Sequence, residues 1–509
     1  MSEEYSQLLR TRRDKLGALQ EKGIAPYAYH FALSHSTEGA GTAFADVESA
    51  DELVEGNGPR VQVAGRICSW RGHGKSAFAH LEDDTGRLQV YFRMDVLGEE
   101  DFEILSLLDL SDWIGVDGQL FRTRTGEVTV RANSCTLLSK SLRPLPLSKE
   151  ELDPESGERV THSGFTDTQT RFRQRYADLA VHPEVREIFR TRARVIAQLR
   201  RFLDDLNYLE VETPVLQPIY GGAAARPFTT FHNALGSTLY LRIADELYLK
   251  RLIVGGFERV YEISKDFRNE GVDRTHNPEF TMLEFYQAFA DYQDMMALVE
   301  EMMEELVTAT CGGLELEYQG QSISMAAPFA RVPFLKALGE RLDEDPAGLE
   351  TEALQIRLEK IAGEDTKAVG RGAVLDKLFA HLVEPDLINP TFITDFPMEL
   401  SPLAKVKRGD ESLAERFELF VAGREIANAF SELNDPVDQR IRFEAQGRLR
   451  DAGDEEAHPI DEDYLRAMEY GMPPTGGVGI GVDRLVMLLT DSPSIRDVIL
   501  FPALRSEDA

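Results

Sequence analysis

Three observations predict an α+β protein of more than one domain. A run of short alternating strands fills residues 61–139, and a larger region from about Thr166 mixes helices with strands. At 509 residues the chain is also longer than one hydrophobic core usually serves. A hydrophobic content of 42% with 28% charged residues is that of a globular chain, which argues against a disordered class.

The elements follow in order. Residues 1–59 read as a helical extension, a helix from Glu4 to Glu21 and then an acidic stretch rich in Gly and Ala. Residues 60–147 carry five short strands, at 61–65, 77–81, 88–92, 113–121 and 128–130. Asp84-Thr85-Gly86 and Thr125-Gly126-Glu127 supply turns between two of the pairs, and a helical piece at 101–110 separates the third strand from the fourth. Five strands with that interruption fit an OB-fold, a small barrel that often binds oligonucleotides on one face. Residues 148–165 read as an acidic linker and 166–509 as the second domain, within which Asp291 to Thr310 and Val332 to Ala380 look helical and inserted.

Charge and cysteine usage narrow the class. The formal net charge of −32 repels a polyanion at long range, so a nucleic-acid partner must be met by local basic patches. Arg10, Arg12, Arg13 and Lys15, then Arg66, Arg71, Lys75, Arg87 and Arg93, are the candidates. The three cysteines, Cys68, Cys135 and Cys311, form no Cys-x-x-Cys pair, so neither zinc nor a disulfide framework is expected and a reducing cytoplasm fits. Met1 to Leu19 has no apolar core of a signal peptide, and no run approaches the roughly 18 apolar residues of a membrane span.

The chemistry concentrates in two segments. Strand-like runs at 257–267 and 279–288 flank the polar loop carrying Arg268, Glu270, His276 and Asn277. A period of two sets Arg268 and Glu270 on one face, and Phe280, Glu284 and Tyr286 on one face of the second run. An arginine, carboxylates, an aromatic plate and a phenol together can grip a nucleotide beside a small charged molecule. Alone, such a hairpin is equally an ordinary salt-bridged polar face. Near the C-terminus Gly471 to Gly481 is glycine-rich, and the spacing from Val482 to Leu489 predicts a helix with Arg484 in its first turn. Helix N-termini favour anions, and the guanidinium adds a permanent charge suited to phosphate. A third piece has helical spacing at 199–209 and then a strand from Glu210 to Leu216, ending near Pro214.

Taken in chain order, 199–216, 257–288 and 471–489, these three pieces resemble motifs 1, 2 and 3 of the class II aminoacyl-tRNA synthetases, with the greatest likeness to the bacterial class II lysyl-tRNA synthetases. The likeness also takes in 221–228, 401–405 and 471–502. It implies an antiparallel sheet flanked by helices and a two-step reaction: amino-acid activation by ATP, then transfer to tRNA(Lys). Matching positions imply that Arg268 and Arg484 are the catalytic clamps and that Glu270, His276, Asn277 and Phe280 complete the ATP site. Mg2+ would be held by Glu418 and Glu425. Gly222, Glu246, Arg268, Glu284, Tyr286, Asn428, Phe430 and Glu432 would bind lysine. Arg66, Phe78, Gln89 and Glu127 would meet the anticodon, Phe78 being alternatively a barrel-core aromatic. The 210–216 strand would form the interface of a homodimer.

Charge supports lysine among related substrates. Several buried acids are costly unless a cation joins them, and lysine brings two ammonium groups. An aspartate- or asparagine-specific enzyme would want a basic residue where Glu432 stands. A protein-lysylating relative would lack the barrel, and a catalytically dead nucleic-acid-binding relative would have lost an arginine. Alternation puts Asn428, Phe430 and Glu432 on one face, whereas Glu425 and Asn428 differ by three, so both roles require a bulge between them.

Overall fold

The computed structural model describes residues 3–54, 56–146, 149–152, 159–162, 164–363, 370–451 and 459–505. The chain forms two compact units, Met1–Thr166 and Asp167–Ala509.

In the first unit β1 (Asn57–His73), β2 (Ser76–Glu82), β3 (Arg87–Arg93), β4 (Trp113–Arg122) and β5 (Val128–Ser139) close into a barrel in the order β1-β2-β3-β5-β4. Only β3 and β5 run parallel. Strict alternation fills the interior: Val61, Val63, Ala77, Ala79, Leu81, Leu88, Val90 and Phe92 are buried, and the residues between them face outward. A register shift between Ile67 and Ser69 bends the long first strand so that it can serve two neighbours. The acidic, Ala-rich stretch conceals a second helix. After α1 (Glu3–Glu21), α2 (Thr37–Ser49) starts at Ser36, whose hydroxyl accepts from Gly39 N. Leu19, Ala40 and Phe44 from these helices belong to the same apolar core as the barrel. Short helices at Met94–Leu97 and Glu99–Ile104 precede β4, earlier than the spacing indicated. In the linker Lys149–Leu152 pairs with Arg159–His162, and 147–148, 153–158 and 163 lie outside the described residues.

The second unit is built on a sheet ordered Ala330–Pro333, Thr391–Pro397, Asp410–Val421, Arg424–Ser431, Thr475–Gly481, Glu279–Ala288, Arg259–Phe267, Leu209–Glu210. It is antiparallel except at its two outermost pairs. Period two again divides the faces. Leu283, Phe285, Val478, Ile480, Ala427, Ala429, Phe417 and Leu419 meet the buried sides of helices Pro183–Asp205, Tyr292–Cys311 and Val482–Leu489 in one core. The opposite face carries the polar residues between them.

Three local expectations are corrected. The helix read at 199–209 runs from Pro183 to Asp205, because its apolar stripe begins at Val185. The strand expected from Glu210 to Leu216 is broken into Leu209–Glu210 and Leu216–Gln217; Pro214 lies between them and has no N–H to give a ladder. The helical segment expected from Val332 to Ala380 is three helices, Phe334–Leu342, Thr351–Ala362 and Arg371–Leu382, with 364–369 outside the described residues.

Candidate functional site

A cavity of about 880 Å³ opens on the polar face of the second unit's sheet. Its floor is made by rows of paired residues. Glu284 stands opposite Gly479, Gly479 opposite Asn428, and Asn428 opposite Glu418. The next row runs Tyr286, Gly477, Phe430, Arg416. The glycines at 477, 479 and 481 leave the middle of the floor bare, so long side chains from the neighbouring strands can reach over it. Gly477 has no room to spare: a Cβ there would lie 2.2 Å from Glu432 Oε1 and 2.4 Å from Tyr286 Cε1.

One end gathers groups suited to a nucleotide. Arg268 lies just past the strand Arg259–Phe267, in loop rather than strand, so the face shared with Glu270 comes from the loop and not from a pleat. Its guanidinium sits 5.0 Å from the centre of the Phe280 ring. Glu270, His276, Asn277 and Phe280 line the same wall. The loop is tied locally, since Asp273 accepts from His276 N at 2.8 Å and contacts its Nδ1 at 2.8 Å. Asn277 gives its amide to Glu279 O (2.6 Å) and accepts from Ala503 N (3.1 Å), so both its polar ends are engaged.

Arg484 enters from the first turn of helix Val482–Leu489 and donates to Glu425 O at 3.0 Å, with Glu425 Oε2 at 3.2 Å. The required bulge is present: Phe420 pairs with Glu425 and Leu419 with Ala427, leaving Ile426 as the extra residue. Glu425 and Asn428 can therefore both line the cavity. Glu418 sits beside them, paired with Arg416 at 2.5 Å. Asp376 and Glu384, which the sequence reading missed because they come from the helical insertion, complete four carboxylates on this wall. Burial, and then the charge of Glu425, push Glu384 up to about 7. Burial raises Glu418 to about 8 against the pull of Arg416.

The other end is an acidic pocket. Gly222 holds φ +92°, a conformation that favours glycine, against Ala244 and Glu246. Glu246 opens helix Glu246–Val254, and the Tyr286 hydroxyl donates to Glu284 Oε2 at 3.0 Å. Burial, then the negative charge of Asp245, raises Glu284 well above the usual carboxylate range. Behind it Arg242 gathers Glu262 (2.7 Å), Asp245 (3.0 Å) and Asp266 (3.5 Å).

Of the fifteen residues expected in the second unit, fourteen line this cavity and Glu432 does not. Glu432 lies just beyond the strand Arg424–Ser431, 1% exposed, and is ion-paired with Lys250, which also pairs with Glu246. The expectation that lysine's ammonium groups join these buried acids is thus corrected in part: the chain supplies one cation itself. The signal was legible, since Lys250 follows Glu246 by four on a helix.

In the first unit Phe78 is on the outer surface of the barrel, not in its core, stacked 4.4 Å from Tyr91. Gln89 donates to Glu127 at 2.7 Å, and His80 Nε2 is 2.8 Å from the same carboxylate. Arg66 lies over Trp113 at 4.9 Å. Alternation in paired strands could have flagged Tyr91 and His80, which face Phe78 and Gln89 across the ladder. Several of the expected basic residues are already spent. Arg12 is buried and donates to Leu110 O and Ser141 O, Lys15 pairs with Asp109, Arg87 with Glu82 and Arg93 with Asp95.

A five-stranded barrel in one unit, and in the other two arginines and a carboxylate-lined cavity on an antiparallel sheet, define a class of ligase. The chain belongs to the tRNA synthetases class II (D, K and N), whose family model matches residues 167–505; that of the OB-fold nucleic acid binding domain matches 61–138. Within that class it is similar over nearly its whole length to curated lysine–tRNA ligases. Identity is 51% over 514 residues with that of Pelotomaculum thermopropionicum, covering 99% of this chain and 96% of the relative. It is 50% with those of Carboxydothermus hydrogenoformans and Moorella thermoacetica, each covering 99% of both chains.

Proposed function

We infer that this chain attaches L-lysine to tRNA(Lys) in protein synthesis. The lysine carboxylate attacks the α-phosphorus of ATP, forming lysyl-adenylate and releasing pyrophosphate. A hydroxyl of the tRNA's terminal ribose then takes the lysyl group and AMP leaves. No protein nucleophile is required, so rate comes from orientation and from neutralising phosphate charge. The observation that carries this reading is the division of one cavity into an acidic pocket and an end lined by Arg268 and Arg484.

Arg268, between the two halves, bridges the lysine carboxylate and the α-phosphate, and Arg484 holds the γ-phosphate. Phe280 stacks on adenine, with Glu270 and Asn277 at its edge and His276 toward the outer phosphates. Glu246 and the Gly222 backbone take the α-ammonium, and Glu284 and Tyr286 take the side-chain end, with Glu432 adding its charge from behind the cavity wall and Asn428 and Phe430 on the floor. The wall of Asp376, Glu384, Glu418 and Glu425 suits a hard divalent cation, because burial and neighbouring carboxylates raise Asp376, Glu384 and Glu418 and a cation relieves both. Glu418 and Glu425 would hold Mg2+ together with phosphate oxygens. Bound there, Mg2+ neutralises charge on the triphosphate.

The outer face of the barrel carrying Arg66, Phe78, Gln89 and Glu127 reads the anticodon by stacking and base-edge hydrogen bonds. Exposed Leu209, Val215, Leu216 and Ile219 around Pro214 support a homodimer through this edge. No described helix is long and apolar enough to cross a membrane, and the cytoplasm is the proposed place of work. ATP–pyrophosphate exchange measured with each of the twenty amino acids tests the reading: lysine alone, with Mg2+, supports it. Exchange driven by aspartate or asparagine would refute the pocket assignment.

A further inference from the structure

Lys250 has no exposed surface and forms ion pairs with Glu246, one helical turn earlier, and with Glu432. The groups around it come from several elements. Glu246 shares its helix, and Glu432 follows the strand Arg424–Ser431. Tyr464, on helix Glu462–Glu469, is fully buried and shares an apolar cluster with Leu247 of the Lys250 helix. Tyr286 and Glu284 come from the strand Glu279–Ala288, and the Tyr286 ring and Glu432 Oε1 both crowd the space over Gly477. Arg416, from Asp410–Val421, adds a positive field at Glu246. Burial opposes the Lys250 ammonium, yet the two carboxylates outweigh it and hold it charged.

Three buried charges are an expensive way to fill this volume, since well-packed apolar residues are often as stable. A reason for keeping them emerges from counting charge. With a guest cation in place to hold them ionised, Glu246, Glu284 and Glu432 carry three negative charges, and Lys250 removes one. Two remain, matching the two ammonium groups of lysine, while the substrate carboxylate is left to Arg268. We propose that Lys250 is a specificity-positioning residue, whose ammonium fixes Glu246 and Glu432 and sets the pocket's uncompensated charge at two. A guest with one ammonium leaves a carboxylate bare, and a guest with a second carboxylate is repelled. This rests on reading the cavity as the lysine pocket.

Pyrophosphate exchange by the full chain tests it through Michaelis constants. Lys250→Met raises KM for lysine at least tenfold at pH 8 and leaves KM for ATP within twofold. The deficit against the parent narrows toward pH 6, because a proton shared by Glu246 and Glu432 then replaces the ammonium. Lys250→Met combined with Glu432→Gln removes one charge of each sign and serves also where the single variant fails to fold. Its lysine deficit is constant between pH 6 and 8. An unchanged lysine KM in the single variant, equal rises for lysine and ATP, or a pH-dependent deficit in the double variant overturns the proposal. Glu246→Gln separates the two levels: if it leaves lysine KM unchanged, the pocket reading itself has failed, whereas a raised KM there beside an unaffected Lys250→Met refutes Lys250 alone.

Discussion

Glu284 and Glu418 stand in the same row of the sheet, three strands apart, with Gly479 and Asn428 between them. At the usual inter-strand spacing of about 4.8 Å the row spans roughly 14 Å. That is long enough to keep an acidic amino-acid pocket and a cation-binding wall from repelling each other directly. It also leaves a bare glycine floor over which a substrate can lie, so the two halves of the site are separated by strand pairing rather than by loops.

The arginines that close the nucleotide end give the first prediction. Arg268→Ala and Arg484→Ala each lower the rate of lysine-dependent exchange by at least ~100-fold, the scale of losing a preorganised charge at a developing anion. Arg484→Lys does not restore it, because an ammonium cannot reproduce the fork that also grips Glu425. Steady-state exchange assays decide this, and rescue by lysine would count against a two-pronged contact.

Gly477 sets a second. A methyl there collides with the carboxylate of Glu432 and the ring of Tyr286. Gly477→Ala therefore costs about 1–3 kcal/mol of stability by overpacking and raises KM for lysine more than KM for ATP. Thermal unfolding and exchange kinetics, measured side by side, check both halves.

Asp266 gives a pH-dependent prediction. It is fully buried, its oxygens receive no hydrogen bond, and burial raises its pKa from 3.8 to about 6. A carboxyl raised on folding binds its proton more tightly in the native state. Its penalty is absent below the unfolded value and grows as pH rises through about 6. Asp266→Asn should then stabilise the protein by on the order of 2–3 kcal/mol at pH 7.5, with the gain fading toward pH 4. Urea unfolding at the two pH values measures it, and a gain of equal size at both would refute the cause.

On the barrel, half-buried Phe78 and its partner Tyr91 form an aromatic plate on the outer face. Phe78→Ala raises KM for tRNA in the charging reaction, by the ~1–3 kcal/mol that base stacking contributes, and leaves ATP–pyrophosphate exchange unchanged. A parallel loss in exchange would show that the residue acts on the fold instead.

The sequence by itself determined the residue types, the strand faces and the anion-favouring helix start. The period-two pattern of Leu283 and Phe285 against Glu284 and Tyr286 needs only the pleat, and Arg484 needs only the 3.6-residue turn. It likewise required a bulge between Glu425 and Asn428, since spacing of three cannot keep two side chains on one face. Tertiary structure alone decided which of the acids keep their charge. Lys250 meets Glu432 only when residues 182 positions apart are packed together, and Asp376 and Glu384 reach the cavity wall only through the packing of the helical insertion. It also decided how many of the basic residues are free, because an ion pair such as Lys15 with Asp109 depends on distance through space. Local dihedral preferences are written residue by residue, whereas desolvation and Coulomb energy depend on every neighbour the fold assembles.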